Sequence, residues 1–283
     1  MAQNNSKIGD DVYDRARLFH TDATLCGASA IAQKTNAPSV LRSEADTKYW
    51  INPQSNLLIY KSKCIGSKIW SHSEKAICAN VSAVREWDAN GTVFGYNPHR
   101  KNKQAGEFGH SDFYPVVIAA CHNNEIYSGE DALKGMILLD EIRGRLAEVF
   151  SLKSYKIDHV VHGAVASAIV YGTMLNATPE QIESAVGMTV SHYVPWRAIR
   201  SGHQLSDSKG ASAALSAEVA IQSVHRAIAG FNGPKDIFRN KEAIFKYFEP
   251  TQGDSSPFDL HLTTSGDDFV VMDMHFKLGL YEH

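Results

Sequence analysis

Five stretches of the chain set polar residues among apolar or glycine-rich neighbours, where a freely solvated side chain is out of place. Trp87-Asp88-Ala89-Asn90-Gly91-Thr92 follows a helical pattern. An acid at a helix C-terminus opposes the helix dipole, so Asp88 either closes an Asx turn with Asn90-Gly91 or is kept for chemistry. Gly106-Glu107-Phe108-Gly109-His110-Ser111-Asp112 precedes an apolar helix. A helix start attracts a carboxylate and His110 could touch the same anion; the plainer reading makes Ser111 or Asp112 an N-cap. Asp158-His159-Val160-Val161-His162-Gly163 places two imidazoles at i and i+3 on one helix face. They could exchange protons near neutral pH, or be core histidines satisfied by backbone. Zinc would need further ligands, and none stands at a telling spacing. Arg197-Ala198-Ile199-Arg200-Ser201-Gly202-His203 leads into Ser206-Asp207-Ser208-Lys209-Gly210 and a run of Ala and Ser over residues 211–217. A lysine in the first turn of a tightly packed helix is electrostatically costly. An anion shared by that helix start and Lys209 would offset the cost; the alternative is a lysine on an outer face.

Helices must position these groups. Apolar residues recur at helical spacing over residues 12–34 and 73–88. Ser128-Gly129-Glu130-Asp131 reads as a helix start with Ser128 as N-cap and acids in the first turn. The helix that follows puts Leu133, Met136, Ile137, Leu139, Ile142, Leu146 and Val149 on an apolar face, and Lys134, Asp140, Arg143 and Glu148 on the other. Residues 159–175 are nearly all small or apolar, as in a helix buried on most sides. Thr178-Pro179-Glu180-Gln181 restarts a helix, with Thr as N-cap, Pro at the first position and Gln three after the cap. Residues 207–229 form one more helix, stopped by Asn232-Gly233-Pro234. Residues 56–70 are short, β-prone and punctuated by glycine. Residues 258–263 and 268–281 alternate apolar and polar types around Ser265-Gly266-Asp267, which predicts a β hairpin with Val270, Met272, Met274, Phe276, Leu278 and Leu280 on one face. A hairpin needs another layer to bury that face, so it reads as the opening of a second, α+β domain. The expected fold class is mainly α: a helical-bundle domain over residues 1–257, then a C-terminal hairpin, residues 258–283, that begins an α+β lid domain expected to be truncated here.

Composition narrows the partners. The 283 residues are 43% apolar and 21% charged, which suits a globular protein with a sizeable core. A formal net charge of −3 gives no basic excess to attract nucleic acid. Cys26, Cys64, Cys78 and Cys121 are scattered, without the close spacing that marks zinc or most iron–sulfur sites, so reduced core thiols are expected. Residues 1–11 are polar with two acids, unlike a signal or transit peptide. No apolar run is long enough to cross a bilayer. A soluble intracellular protein is expected, cytoplasmic by sequence.

These motifs, in this order, resemble the MmgE/PrpD family, which includes 2-methylcitrate dehydratase and cis-aconitate decarboxylase. Residues 13–17 and 21–27 resemble its first long helix. Asp88 through Thr92 resembles its Asp-x-x-x-Thr element, and Gly109-His110-Ser111-Asp112 its Gly-His-Pro-Ser element. Asp158-His159 resembles the start of a helix bearing a site histidine, and residues 209–214 resemble a Lys-led helix. The similarity runs from about residue 12 to the end of the chain. It implies a site lined by Asp88, Thr92, His110, His159 and Lys209. Ser111 stands where the family pattern has Pro, the segment between Thr92 and His110 is long and basic, and His162 competes with His159. The family pattern is also longer, with an α+β lid that contributes to the pocket. The resemblance further implies a homodimer through the helical domain, and it admits a mitochondrial location because eukaryotic dehydratase relatives are often found there.

The implied substrate is a small polycarboxylate. Dehydrating a citrate-like acid removes a weakly acidic proton α to a carboxylate and expels a β-hydroxyl. That requires a positioned base, stabilisation of an enolate-like dianion and a proton donor for the leaving group. His159 and His110 would divide the acid and base roles, with Asp88 orienting one imidazole. Lys209, with Arg200 assisting, would hold carboxylates, and Thr92 would hydrogen-bond substrate. Neither a metal nor another cofactor is expected. Decarboxylation of a cis-aconitate-type acid, or a catalytically incomplete fragment or helical dimerisation module, are the competing readings.

Overall fold

The computed structural model describes residues 7–52, 54, 60–91, 109–124, 126–150, 152–200, 206–240, 242 and 260–277, which form a mainly α fold. In chain order the helices are α1 (Asp10–Ala32), α2 (Asn36–Lys48), α3 (Ser73–Arg85), α4 (Tyr114–Asn123), α5 (Gly129–Val149), α6 (Val160–Met174), α7 (Pro179–His192), α8 (Asp207–Gly210) and α9 (Ser212–Ile228). Two short strands pair antiparallel, β1 (Lys61–Ser62) inside the β-prone stretch 56–70 and β2 (Ser71–His72) just after it, Lys61 opposite His72.

Local chemistry sets the helix ends. α5 starts in a capping box: the Ser128 hydroxyl accepts from the Asp131 N–H, and the Asp131 carboxylate accepts from the Ser128 N–H. Thr178 and Gln181 do the same for α7, with Pro179 at its first position. α2 was not anticipated; Pro38 lies in its first turn, where a missing N–H breaks no helix bond. α6 is buried from Val160 to Ala168 and packs against α5, α7 and α9. α9 reaches α3, α6 and α7 through the buried alanines 213, 214, 217 and 220. At Gly163 any side chain would strike the Phe113 ring, so the close approach of α6 to that ring requires glycine.

Two expectations are corrected. The helix expected over residues 207–229 breaks at Ala211, leaving Lys209 in a single turn, α8, rather than in the first turn of a long helix. The C-terminal hairpin does not form among the described residues; Val270–Asp273 is instead a 3-10 turn. Phe269, Val270 and Val271 are buried in succession, which a strand showing alternate faces to one layer cannot achieve. Their backbone finds a different partner. The fully buried Glu141 of α5 accepts from the Thr263 N–H at 2.8 Å and from the Val270 N–H at 2.9 Å. Arg145 donates to Glu141 (2.8 Å), to the Thr263 hydroxyl (3.1 Å) and to the Asp268 carbonyl (3.2 Å). Val270 fills the space over Gly144, Arg15 donates to the Met274 carbonyl, and the Phe276 ring lies 4.4 Å from that of Phe19. The segment 260–277 is thereby strapped across α5 and α1.

Glu141→Ala leaves the buried Val270 N–H, the partly buried Thr263 N–H and one Arg145 contact without their acceptor. It should cost about 3 kcal/mol in denaturant unfolding and expose the C-terminal segment to limited proteolysis before the helices unfold.

Candidate active site

α3 ends at Arg85, and the chain turns at Asp88 and Gly91, both with positive φ (48° and 65°). Asp88 is buried and meets two cations: it pairs with Arg85 from its own turn and with Lys277 from the C-terminal strap. Lys277 also donates to the Asp88 carbonyl at 2.8 Å. An acid placed against a helix dipole is thus compensated by direct charge. Asn90, fully buried, donates to Asp112 (2.6 Å) and to the Ser111 hydroxyl (3.2 Å). Asp22 of α1 accepts from the Gly91 N–H at 3.4 Å, and burial raises its pKa.

The chain is next described at Gly109, whose φ of 68° opens the 3-10 turn His110–Phe113. This turn packs against α3, α5, α6 and α9. Asp112 lies inside it, fully buried; desolvation raises its pKa while Arg85, 3.8 Å away, and Arg143 oppose the rise. Arg143 and Asp140 correct the expectation that they stand on the outer face of α5, for both are fully buried. Arg143 donates to the Gly109 carbonyl at 3.1 Å and lies 4.7 Å over the Phe113 ring. Asp140 accepts from the Tyr114 hydroxyl at 2.5 Å, and burial pushes its carboxyl up to about 8.

His159 precedes α6, nearly buried, with Nδ1 3.2 Å from Asp158. The Asp158 N–H donates to the Pro195 carbonyl, and Arg197 N–H to the Lys156 carbonyl, so the segment leading to Arg200 runs beside His159. The 3-10 turn Arg197–Arg200 packs against α8, whose Lys209 is buried. Gly210 faces the Glu86 carboxylate, two residues before Asp88. The His110 turn thus touches α3 and, through Phe113, Gly163 of α6, while Gly210 beside Lys209 faces Glu86 near the end of α3. Thr92 lies outside the described residues, as do the side chains of His110 and Arg200 and the boundary at 257/258. His162 is fully buried with no hydrogen bond to either ring nitrogen, and burial with Arg143 nearby depresses its pKa to about 3. Among the described residues, no three His, Cys, Asp or Glu side chains gather as metal ligands, and no helix is long and apolar enough to cross a membrane.

Sequence reasoning missed Arg85, Arg143 and Lys277. Lys277 had no local signal, since its partner lies 189 residues earlier. Arg143 and Asp140, three apart on α5, could have been read as a pair.

Fold and site together define a mainly helical protein with a buried cluster of acids and cations, Asp88 and Asp112 with Arg85 and Lys277. A family model described as the MmgE/PrpD N-terminal domain matches residues 4–255. The chain belongs to the MmgE/PrpD family. That membership supports a dehydratase-like activity.

Two buried groups give opposite pH dependences. Unfolded, His162 titrates near 6.5, and folded near 3, so the unfolded chain holds the extra proton between these values. Stability therefore falls as pH drops from about 6.5 to about 3. Asp140 rises from 3.8 to about 8 on folding, so its contribution to stability falls as pH climbs through that interval. Urea unfolding from pH 4 to 8 should show a smaller acid-side loss in His162→Leu and a smaller alkaline-side loss in Asp140→Asn.

Proposed function

We propose that the chain carries the catalytic residues of a metal-independent hydro-lyase acting on 2-methylcitrate or a related alkylcitrate to give an aconitate-type product. The observation that supports this reading is the buried charge network beside the His110 turn, in which Asp88 meets Arg85 and Lys277, and Asp112 meets Arg85 and Asn90. A tricarboxylate brings three negative charges, and Lys209, Arg200 and Lys277 would answer them. One imidazole would take the proton α to a carboxylate, and the other would protonate the departing hydroxyl. Asp158, 3.2 Å from His159 Nδ1, would orient that imidazole. Asp88 would orient an imidazole and hold Lys277 in place, and Thr92 would hydrogen-bond substrate. In this reading residues 1–257 are the helical catalytic body, and the segment from 258 onward brings the closing side of the site. The family resemblance carries a homodimer with it; Leu18 and Leu25, seven apart on α1 and 54% and 64% exposed, supply an apolar face for a second copy.

The test is absorbance of the unsaturated product formed from 2-methylcitrate by the purified chain with EDTA present. Activity is expected, and His110→Ala and His159→Ala should each lower turnover at least ~100-fold. A near-normal rate in either variant removes that histidine from the acid–base pair. Release of CO2 from cis-aconitate, with 2-methylcitrate untouched, would replace dehydration by decarboxylation.

A further inference from the structure

Arginine is rarely buried without full compensation, because desolvating its charge costs several kcal/mol. Arg143 has 0% exposure, so the partners that offset this cost locate what its charge is used for. Three of them lie in one short stretch. Its Nη1 donates to the carbonyl of Gly109, its guanidinium covers the ring of Phe113, and its charge acts on Asp112. These residues bracket His110, one before it and two and three after it. We propose that Arg143 is a positioning residue that fixes the turn carrying His110, and so the placement of that histidine within the site.

The turn has little slack for any other restraint to take up. Gly109 sits at φ 68°, and a side chain there would strike the Asp112 carboxylate. Asn90 holds the other side of Asp112 at 2.6 Å, so a shift of the turn would break contacts with α5 and with the Asp88 loop together. Asp140, also acting on Arg143, is engaged by the Tyr114 hydroxyl at 2.5 Å, one residue beyond the turn. Only a planar fork can lie flat on a ring while donating in its own plane to a carbonyl; a lysine at 143 would keep the charge and lose that combination.

The proposal rests on the reading that His110 takes part in proton transfer, so the test includes a measurement that needs no turnover. Imidazole resonances of the full chain are titrated by NMR, with His110 assigned from its loss in His110→Gln. Arg143→Lys should keep the helical circular dichroism spectrum, yet move the His110 pKa by about half a unit or more as its surroundings shift. Phe113→Leu removes the ring beneath the guanidinium and should also move the His110 titration; it carries the test if the lysine variant does not fold. With an active chain, Arg143→Lys should lower kcat about tenfold or more, with KM within about threefold. A purely structural role would lower Tm and leave the His110 titration and kcat per folded molecule unchanged. An unchanged titration in the folded variants overturns the proposal, whereas a silent assay beside a shifted titration overturns the dehydratase reading alone.

Discussion

A carboxylate removed from water must be met by cations within a few ångströms, and Asp88 imposes that demand at the point where the chain leaves α3. Arg85 answers from the same turn, and Lys277 answers from the far end of the chain. The pairing draws the C-terminal strap over the helical body and sets it against α1, where Phe276 meets Phe19. A second buried acid, Asp112, repeats the demand a short distance away, and Arg85 and Arg143 answer it. The two acids share Arg85, so the Asp88 loop and the His110 turn cannot move independently.

Such a cluster can exist only where helix ends converge. The faces of α6 and α9 are occupied by packing: their small residues let the backbones approach closely and leave no room for functional side chains. The polar groups accordingly stand at termini and connecting turns. Asp88 follows α3, the His110 turn precedes α4, His159 precedes α6, and Lys209 precedes α9. His162 shows what happens one turn further along α6. There the imidazole is enclosed by core residues, makes no hydrogen bond and is held neutral far below physiological pH.

The parts of this arrangement legible in the sequence are those governed by neighbours along the chain. Ser128 with Asp131 and Thr178 with Gln181 announce the starts of α5 and α7 because each cap is closed within four residues. The uniformly apolar α6 is equally plain. What the sequence conceals is governed by distant partners. The alternation after residue 268 has the period of a strand, but its backbone donors answer to Glu141, more than a hundred residues earlier. Arg143 and Asp140 look like an outer face because charge usually marks solvent, and only the tertiary neighbours Gly109 and Tyr114 make their burial affordable. The break at Ala211 follows Gly210, but a lone glycine inside a helical pattern is often tolerated, so local pattern did not separate the turn bearing Lys209 from α9.

α5 connects the two halves of the site. Its residues Glu141, Gly144 and Arg145 grip the strap that delivers Lys277, while Asp140 and Arg143, on an adjoining face, grip the segment that carries His110. A helix rises only 1.5 Å per residue, so these two grips lie within about one turn of each other on a rigid element. The spacing between a cation from one end of the chain and a histidine turn from its middle is then set by a single piece of α-helix. Substitutions on either gripping face should consequently reach the chemistry without touching any residue that lines the site.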